Sequence, residues 1–312
     1  MTFMPATPPV RSSRQSSLFP YLALIVGILA LGMSAIFVRW ADAPGPITAF
    51  YRLLISSLIL TPFFIARCRP RCAVTRATFH FPVWGGILTA LDLALWNSSL
   101  FYTTAANATL LNSTAPLWVA LGAWLVFRER LTKTFWIGLS IALAGATLIV
   151  GFDFLTHISI GFGDLLASAS GIFYGAYFLV TQRGREHFDS LSYIWLVSVS
   201  ACMGLGILNI GMGNSFTGYS AQTWLVFCGA AIVSQIIGYI AVSYALGHLP
   251  ASVVSPSMIG QPIMTAIFAI PFLGEIPNAI QLIGGFIALT GIFLVNRAYH
   301  HNRNQSEILT IN

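Results

Sequence analysis

Charge is what this sequence has least of. Only 8% of its 312 residues are Asp, Glu, Lys or Arg, against about a quarter in an ordinary soluble domain, too few to clothe the surface of a soluble protein of this size. Cysteine is scarce too. Cys68, Cys72, Cys202 and Cys228 include one close pair, set among Arg67, Arg69 and Arg71, which is too few ligands for a metal or redox centre, so they read as free thiols. The absence of a G-x-x-x-x-G-K-[ST] loop argues against direct drive by ATP, and no H-E-x-x-H or G-x-S-x-G supports a hydrolytic site. No cofactor is expected.

What the sequence has is apolar length. Hydrophobic residues make up 56% of it and run in blocks of about 20, the length a helix needs to cross a hydrocarbon core about 30 Å thick. The chain reads as an all-α, polytopic membrane protein, and its net charge of +6 then marks orientation in the bilayer rather than a nucleic-acid partner. The first apolar run, Leu18 to Val38, ends near an imitation of a cleavage site, Ala41-Asp42-Ala43. It exceeds the roughly 7 to 15 residues of a signal-peptide core and reads as a first span behind a loose tail, residues 1–17.

Apolar windows bounded by charge, Pro and Gly place ten spans at about 19–39, 45–66, 82–103, 105–127, 134–151, 162–181, 190–212, 221–246, 250–273 and 278–297. The basic residues test this count, because Lys and Arg concentrate on the cytoplasmic side. With the N-terminus inside, the cytoplasmic segments hold Arg11 and Arg14, Arg67 to Arg76, Arg128 to Lys133, Arg183 and Arg185, then Arg297 and Arg303. The other side holds Arg39 and the acids Asp42, Asp153, Asp164 and Glu275. An odd number of spans scrambles this sorting, so both termini are expected in the cytoplasm.

The chain also repeats itself. A shift of 146 residues, the step from Glu129 to Glu275, superposes Ala105 on Ala251, Pro116 on Pro262, Gly138 on Gly284, Ala142 on Ala288 and Gly145 on Gly291. Five spans is an odd number, so the second copy enters the membrane from the opposite face. Inverted repeats of this kind build secondary transporters whose solute sits near the midplane between the copies. The expected organisation is a cytoplasmic tail over 1–17, a first repeat over 18–151 (spans 1–5), a second over 152–298 (spans 6–10) and a cytoplasmic tail over 299–312.

Three features together carry a family resemblance: a proline in spans four and nine, an acid at each span's end (PLWVALGAWLVFRERL and PIMTAIFAIPFLGEIP), and a glycine-spaced closing helix (GLSIALAGATLIV and GGFIALTGIFLVN). They resemble the EamA-type members of the drug/metabolite transporter superfamily, and the likeness spans nearly the whole chain. It implies an inverted five-plus-five fold that moves small organic metabolites or amino acids, often outward. A bacterial inner membrane is the expected location.

Asp92, in ALDLALW, lies about eleven residues from either end of span three. A charge near the bilayer midplane costs about 2.5 kcal/mol or more, so it must face the bundle interior or a watery cavity. Arg52, in AFYRLL of span two, lies at similar depth and is its candidate partner. The two form either a structural ion pair that fixes spans two and three, or part of a solute route in which a proton on Asp92 or a charged solute competes for Arg52. Position 195, near the repeat equivalent of Arg52, is tryptophan, so the pair has no charged copy.

Asn112 and Pro116 in span four, with Gln261 and Pro262 in span nine, put polar groups and freed backbone near the midplane, as cavity lining or as a packing kink. Trp96, Trp118 and Tyr177 suit an amphipathic cavity, or alternatively the core or a lipid belt. Glu129, among Arg128, Arg130 and Lys133, reads as a local anchor, while Glu275, without basic neighbours, leaves a gating role open. Gly138, Gly145, Gly284 and Gly291 give spans five and ten flat faces for close packing, against each other or against a second copy in a homodimer.

The resulting reading is a secondary transporter, expected to export, that works by alternating access. Its partners are the lipid bilayer and a small-molecule solute, with no nucleic acid and no metal. Proton coupling through Asp92 is a hypothesis. One rival is an intramembrane enzyme built on Asp92, His248 and serines, disfavoured because His248 lies at a membrane edge, roughly 10 Å or more from Asp92. Another is a sensor with a carrier fold.

Overall fold

The computed structural model describes residues 18–71, 76–99, 102, 111–129, 131–150, 161–274 and 279–311. Glu275 lies outside them. Ten apolar helical segments follow one another: α1 (Phe19–Trp40), α2 (Gly45–Arg71), α3 (Arg76–Ser99), α4 (Ala115–Val126), α5 (Lys133–Val150), α6 (Phe162–Gly184), α7 (Ser190–Gly211), α8 (Ala221–Leu246), α9 (Ala251–Leu273) and α10 (Ala279–Ile311). Eight are long and apolar enough to span a membrane, and α4 and α5 are shorter apolar helices.

The architecture is the inverted five-plus-five repeat. Its signature is the way helices choose partners. The first repeat packs chiefly on the second: α5 on α10, α3 on α6 and α7, α2 on α7, α1 on α8 and α9, and α4 on α6 and α9. Exchanging each helix for its counterpart five later reproduces the scheme, since α3 on α6 becomes α8 on α1, and α4 on α6 becomes α9 on α1. The main core accordingly draws Leu24 and Leu31 from α1, Val119 from α4, Tyr177 and Phe178 from α6, Tyr193 and Val197 from α7, and Tyr239 and Val242 from α8.

Several helices are interrupted where they meet. α1 breaks at Met33, α9 turns at Met258 and Ile259, and a turn at Ser113 and Thr114 precedes α4. The last two fall at repeat-equivalent places, each just ahead of a proline, Pro116 or Pro262. Proline supplies no N–H and crowds the preceding turn. Backbone groups freed inside a bilayer need partners from neighbouring helices. At the α1 break, the Gly32 carbonyl accepts from Thr265 Oγ1 at 2.8 Å and the Ala30 carbonyl from Ser234 Oγ at 3.3 Å. α8 widens into a π-helix over Ala230–Gly238, and Ser234 is carried there.

A second mark of the repeat appears where α4 and α9 end. Gly274 closes α9 with φ 69°, and Arg128, its equivalent 146 residues earlier, is the single non-glycine residue among those described with positive φ, at 55°. The left-handed conformation crowds an L-residue's Cβ at a cost of about 1 kcal/mol, which glycine escapes. Arg128→Gly is therefore expected to raise the unfolding free energy by about 0.5–1 kcal/mol, seen as a higher melting temperature of the detergent-solubilised protein.

Candidate functional site

Near the middle of α3, Asp92 is only 6% exposed. Its carboxylate Oδ1 accepts a hydrogen bond from Asn112 Nδ2 at 2.9 Å, and the same amide nitrogen donates to Ser170 Oγ of α6, also at 2.9 Å. Ser170 in turn donates to the Ala167 carbonyl at 2.8 Å. An acid of α3, the residue just before the α4 turn and a hydroxyl of α6 thus meet across the repeat boundary.

Arg52 of α2 is 7% exposed and takes a different partner from the one its depth suggests. Its Nη1 donates to Ser34 Oγ at 3.1 Å, immediately after the α1 break, and its guanidinium carbon stands 5.9 Å from the centre of the Tyr239 ring. Among the described residues no ion pair joins Arg52 to Asp92, although each lies within electrostatic reach of the other. Among the described residues Arg52 Nε and Nη2 are buried without a hydrogen bond of full geometry, with Tyr239 within hydrogen-bonding reach of the guanidinium. Burying a charge with unmet donors is costly.

The EamA-like transporter family model matches residues 18–151 and 161–297, nearly the whole chain. The chain belongs to the EamA-like transporter family. It is 26% identical to an uncharacterised transporter of Archaeoglobus fulgidus, over 81% of this chain and 88% of the relative. It is 25% identical to a probable terminal-alkyne amino-acid exporter of Streptantibioticus cattleyicolor, over 65% and 68% of the two chains. Similarity to the pseudopaline exporter of Pseudomonas aeruginosa is 20% over 82% and 88%. One solved crystal structure superposes with a TM-score of 0.73 at 16% identity, over 88% of this chain and 96% of the other, a likeness of fold. The protein is an integral membrane transporter rather than an enzyme.

The other predicted residues of this EamA-like transporter are distributed unevenly. Trp118 of α4 is half-buried, packs against Gly175 of α6 and leaves its buried Nε1 unpartnered. Gln261 of α9 lies beside Tyr174 of α6, with its Nε2 buried and unpartnered. Tyr177 is 1% exposed, and among the described residues its hydroxyl makes no hydrogen bond of full geometry, with Thr181 within reach. Trp96 stands half-buried on α3 one turn beyond Asp92, and the two prolines serve the breaks, Pro116 buried and Pro262 half-buried.

Glu129 anchors across helices. Its Oε2 accepts from Ser252 Oγ of α9 at 2.6 Å, so it ties the end of α4 to the start of α9, and among the described residues no ion pair links it to a neighbouring arginine. On the same face, which carries Arg67, Arg128, Arg183 and Arg185 and is called the basic face below, Gln182 Oε1 accepts from the Ala251 N–H at 2.6 Å, and Arg67 pairs with Asp189 at 3.1 Å. Burial pushes the Asp189 carboxyl up, but hydrogen bonds from Ser192 and Arg67 outweigh it, so its pKa lies below the usual value.

Tyr174 and Tyr239, not singled out in the sequence, both approach the two buried charges. Sequence reading missed Ser34 and Ser170 altogether. It also missed Gln235 in the π-helix of α8, 1% exposed and donating to Ser198 Oγ of α7 at 3.2 Å. A signal existed: the step that carries Gly86 to Gly229 carries Asp92 to Gln235. The second repeat holds a neutral amide where the first holds the acid.

Proposed function

We propose that this transporter exports a small organic metabolite of zwitterionic or carboxylate-bearing kind by alternating access, with the basic face in the cytoplasm. One observation carries the reading: Arg52 and Asp92, opposite charges buried at similar depth, are not paired with each other. The free Nε–Nη2 edge of Arg52 has the geometry that grips a carboxylate through two parallel bonds. Asp92 uses Oδ1 for Asn112 and keeps acceptor capacity on Oδ2 for an ammonium group or a proton. Tyr174, Tyr177, Tyr239 and Trp118 supply amphipathic walls for the solute's body.

Proton coupling follows from a competition. A proton on Asp92 removes the charge that holds an ammonium, so protonation from the outer side releases a solute outward, and loss of the proton inward resets the site. The positive-inside distribution of arginines supports the orientation. The exporters among the relatives support the direction.

The test compares metabolites released by cells with and without the protein, then follows the released solute across sealed liposomes containing the purified protein. A solute that crosses unchanged is the expected result. Chemical conversion, or binding with no flux, overturns the reading.

A further inference from the structure

One face of α6 carries Ser170, Tyr174, Tyr177 and Thr181, at intervals of four, three and four residues, the spacing that stacks side chains along one side of a helix. The upper end of this stripe is joined to the acid through one amide, since Asn112 Nδ2 donates to both Ser170 Oγ and Asp92 Oδ1. Its lower end lies one turn before Arg185, at the basic face. Polar side chains inside a membrane bundle mark ion and proton routes.

The lower part of the stripe holds hydroxyls that have only one another. Tyr177 Oη, Thr181 Oγ1 and, from α7, Tyr193 Oη are all buried, and none makes a hydrogen bond of full geometry among the described residues. Their residues are 1%, 0% and 0% exposed. Thr181 lies within hydrogen-bonding reach of both phenols, although neither contact has full hydrogen-bond geometry. Buried hydroxyls normally find good partners, and three hydroxyls that approach one another without full hydrogen-bond geometry form a polar site of the kind that ordered water completes.

We infer that the α6 hydroxyl stripe is a proton path between Asp92 and the basic face, separate from the solute's own opening; this rests on the proposal that Asp92 is protonated during transport. The Asp92 carboxylic O–H bond breaks and its proton passes to the first oxygen of the path. Each hydroxyl or water along the path accepts one proton and gives up another. One proton appears in water at the basic face, one carboxylate is left at Asp92, and no group between them changes charge. The path can work while the solute's entrance on this face is held closed by the bonds from Ser252 to Glu129 and from the Ala251 N–H to Gln182.

Electrostatics around the path are compatible with this. The titratable or charged groups facing Asp92 are Arg52 of α2, Tyr174 of α6 and Tyr239 of α8; from α7, Cys202 packs with Ala90 and Leu93 of α3, and Tyr193 approaches Gly85. At the mouth the Arg185 guanidinium donates to the carbonyls of Ser243 and Phe188, and it faces the Asp189 carboxylate. Asp189 offsets the bare positive barrier that repels protons in other pores.

The probe is the proton itself, so no solute is needed. Full-length protein in lipid is given a jump to higher pH, and the rate at which Asp92 loses its proton is followed by the decay of its carboxylic C=O infrared band, assigned by its loss in Asp92→Asn. Tyr177→Phe and Thr181→Val, both nearly isosteric, should slow that rate by about a hundredfold, the lower range of what one positioned proton-transfer group contributes. Thr181→Ser, which keeps the hydroxyl, and Thr147→Val on α5 should retain it. Unchanged rates in Tyr177→Phe and Thr181→Val overturn the path while leaving Asp92 as a proton site. A carboxyl at Asp92 that never changes protonation with pH overturns the coupling proposal itself, and the path with it.

Discussion

Asp92→Asn is expected to fold like the parent and to transport with no response to a pH gradient. The amide is nearly the same size as the carboxyl and its oxygen can still accept from Asn112 Nδ2, so the contact between α3 and the α4 turn survives. What disappears is the charge and the ability to exchange it for a proton. Each pH unit across the membrane supplies about 1.4 kcal/mol per proton, close to a tenfold change in the solute ratio. In sealed liposomes the parent should therefore gain up to about tenfold in the solute ratio per unit of gradient for one proton exchanged, faster outward when the outer solution is the more acidic. The variant should show equal ratios with and without the gradient. Equal dependence in both proteins would sink proton coupling through this residue.

The second large effect is expected where the two repeats press closest. A Cβ added at Gly145 of α5 would land on the backbone of Ala288, and one added at Gly291 of α10 would land on the backbone of Ala142. Backbone cannot step aside as a flexible side chain can, so Gly145→Ala and Gly291→Ala should each destabilise by about 3 kcal/mol, the upper range for overpacking. Helix propensity alone predicts the reverse, because alanine gains about 1 kcal/mol over glycine inside a helix. Gly285 of α10 separates the two effects, since a Cβ there meets nothing within 4 Å. Thermal unfolding of the solubilised protein should rank Gly285→Ala at or above the parent and the other two well below it. A common melting temperature for all three would mean that the α5–α10 seam is looser than its geometry indicates.

Much of the architecture was legible before any coordinates because it depends on properties that survive reading along a line. Apolar length reports the solvent, and a match at a constant shift reports the repeat. The glycines at 138, 145, 284 and 291 pointed correctly to a close seam. The helix boundaries were softer. α10 continues to Ile311 where hydropathy ended the span near 297, since a helix can run on beyond the membrane once its residues turn polar.

Side-chain partners were a different matter. Depth along a helix put Arg52 beside Asp92, but depth does not report rotation about the helix axis or the irregularities of neighbours. The break at Met33 brings Ser34 to Arg52, and the turn before α4 brings Asn112 to Asp92. The π-helix in α8 moves Ser234 and Gln235 out of ordinary helical register. Glu129 shows the same limit, since its neighbours in sequence are basic while its partner is a serine of α9, 123 residues away.

Sequence alone determined that this chain lives in lipid as two opposed copies of one five-helix unit, because hydropathy and self-similarity are carried by the order of residues. Only the tertiary structure decided which buried charge meets which neutral group. That choice is made by helix crossings and breaks, and these belong to the packed bundle rather than to any single segment.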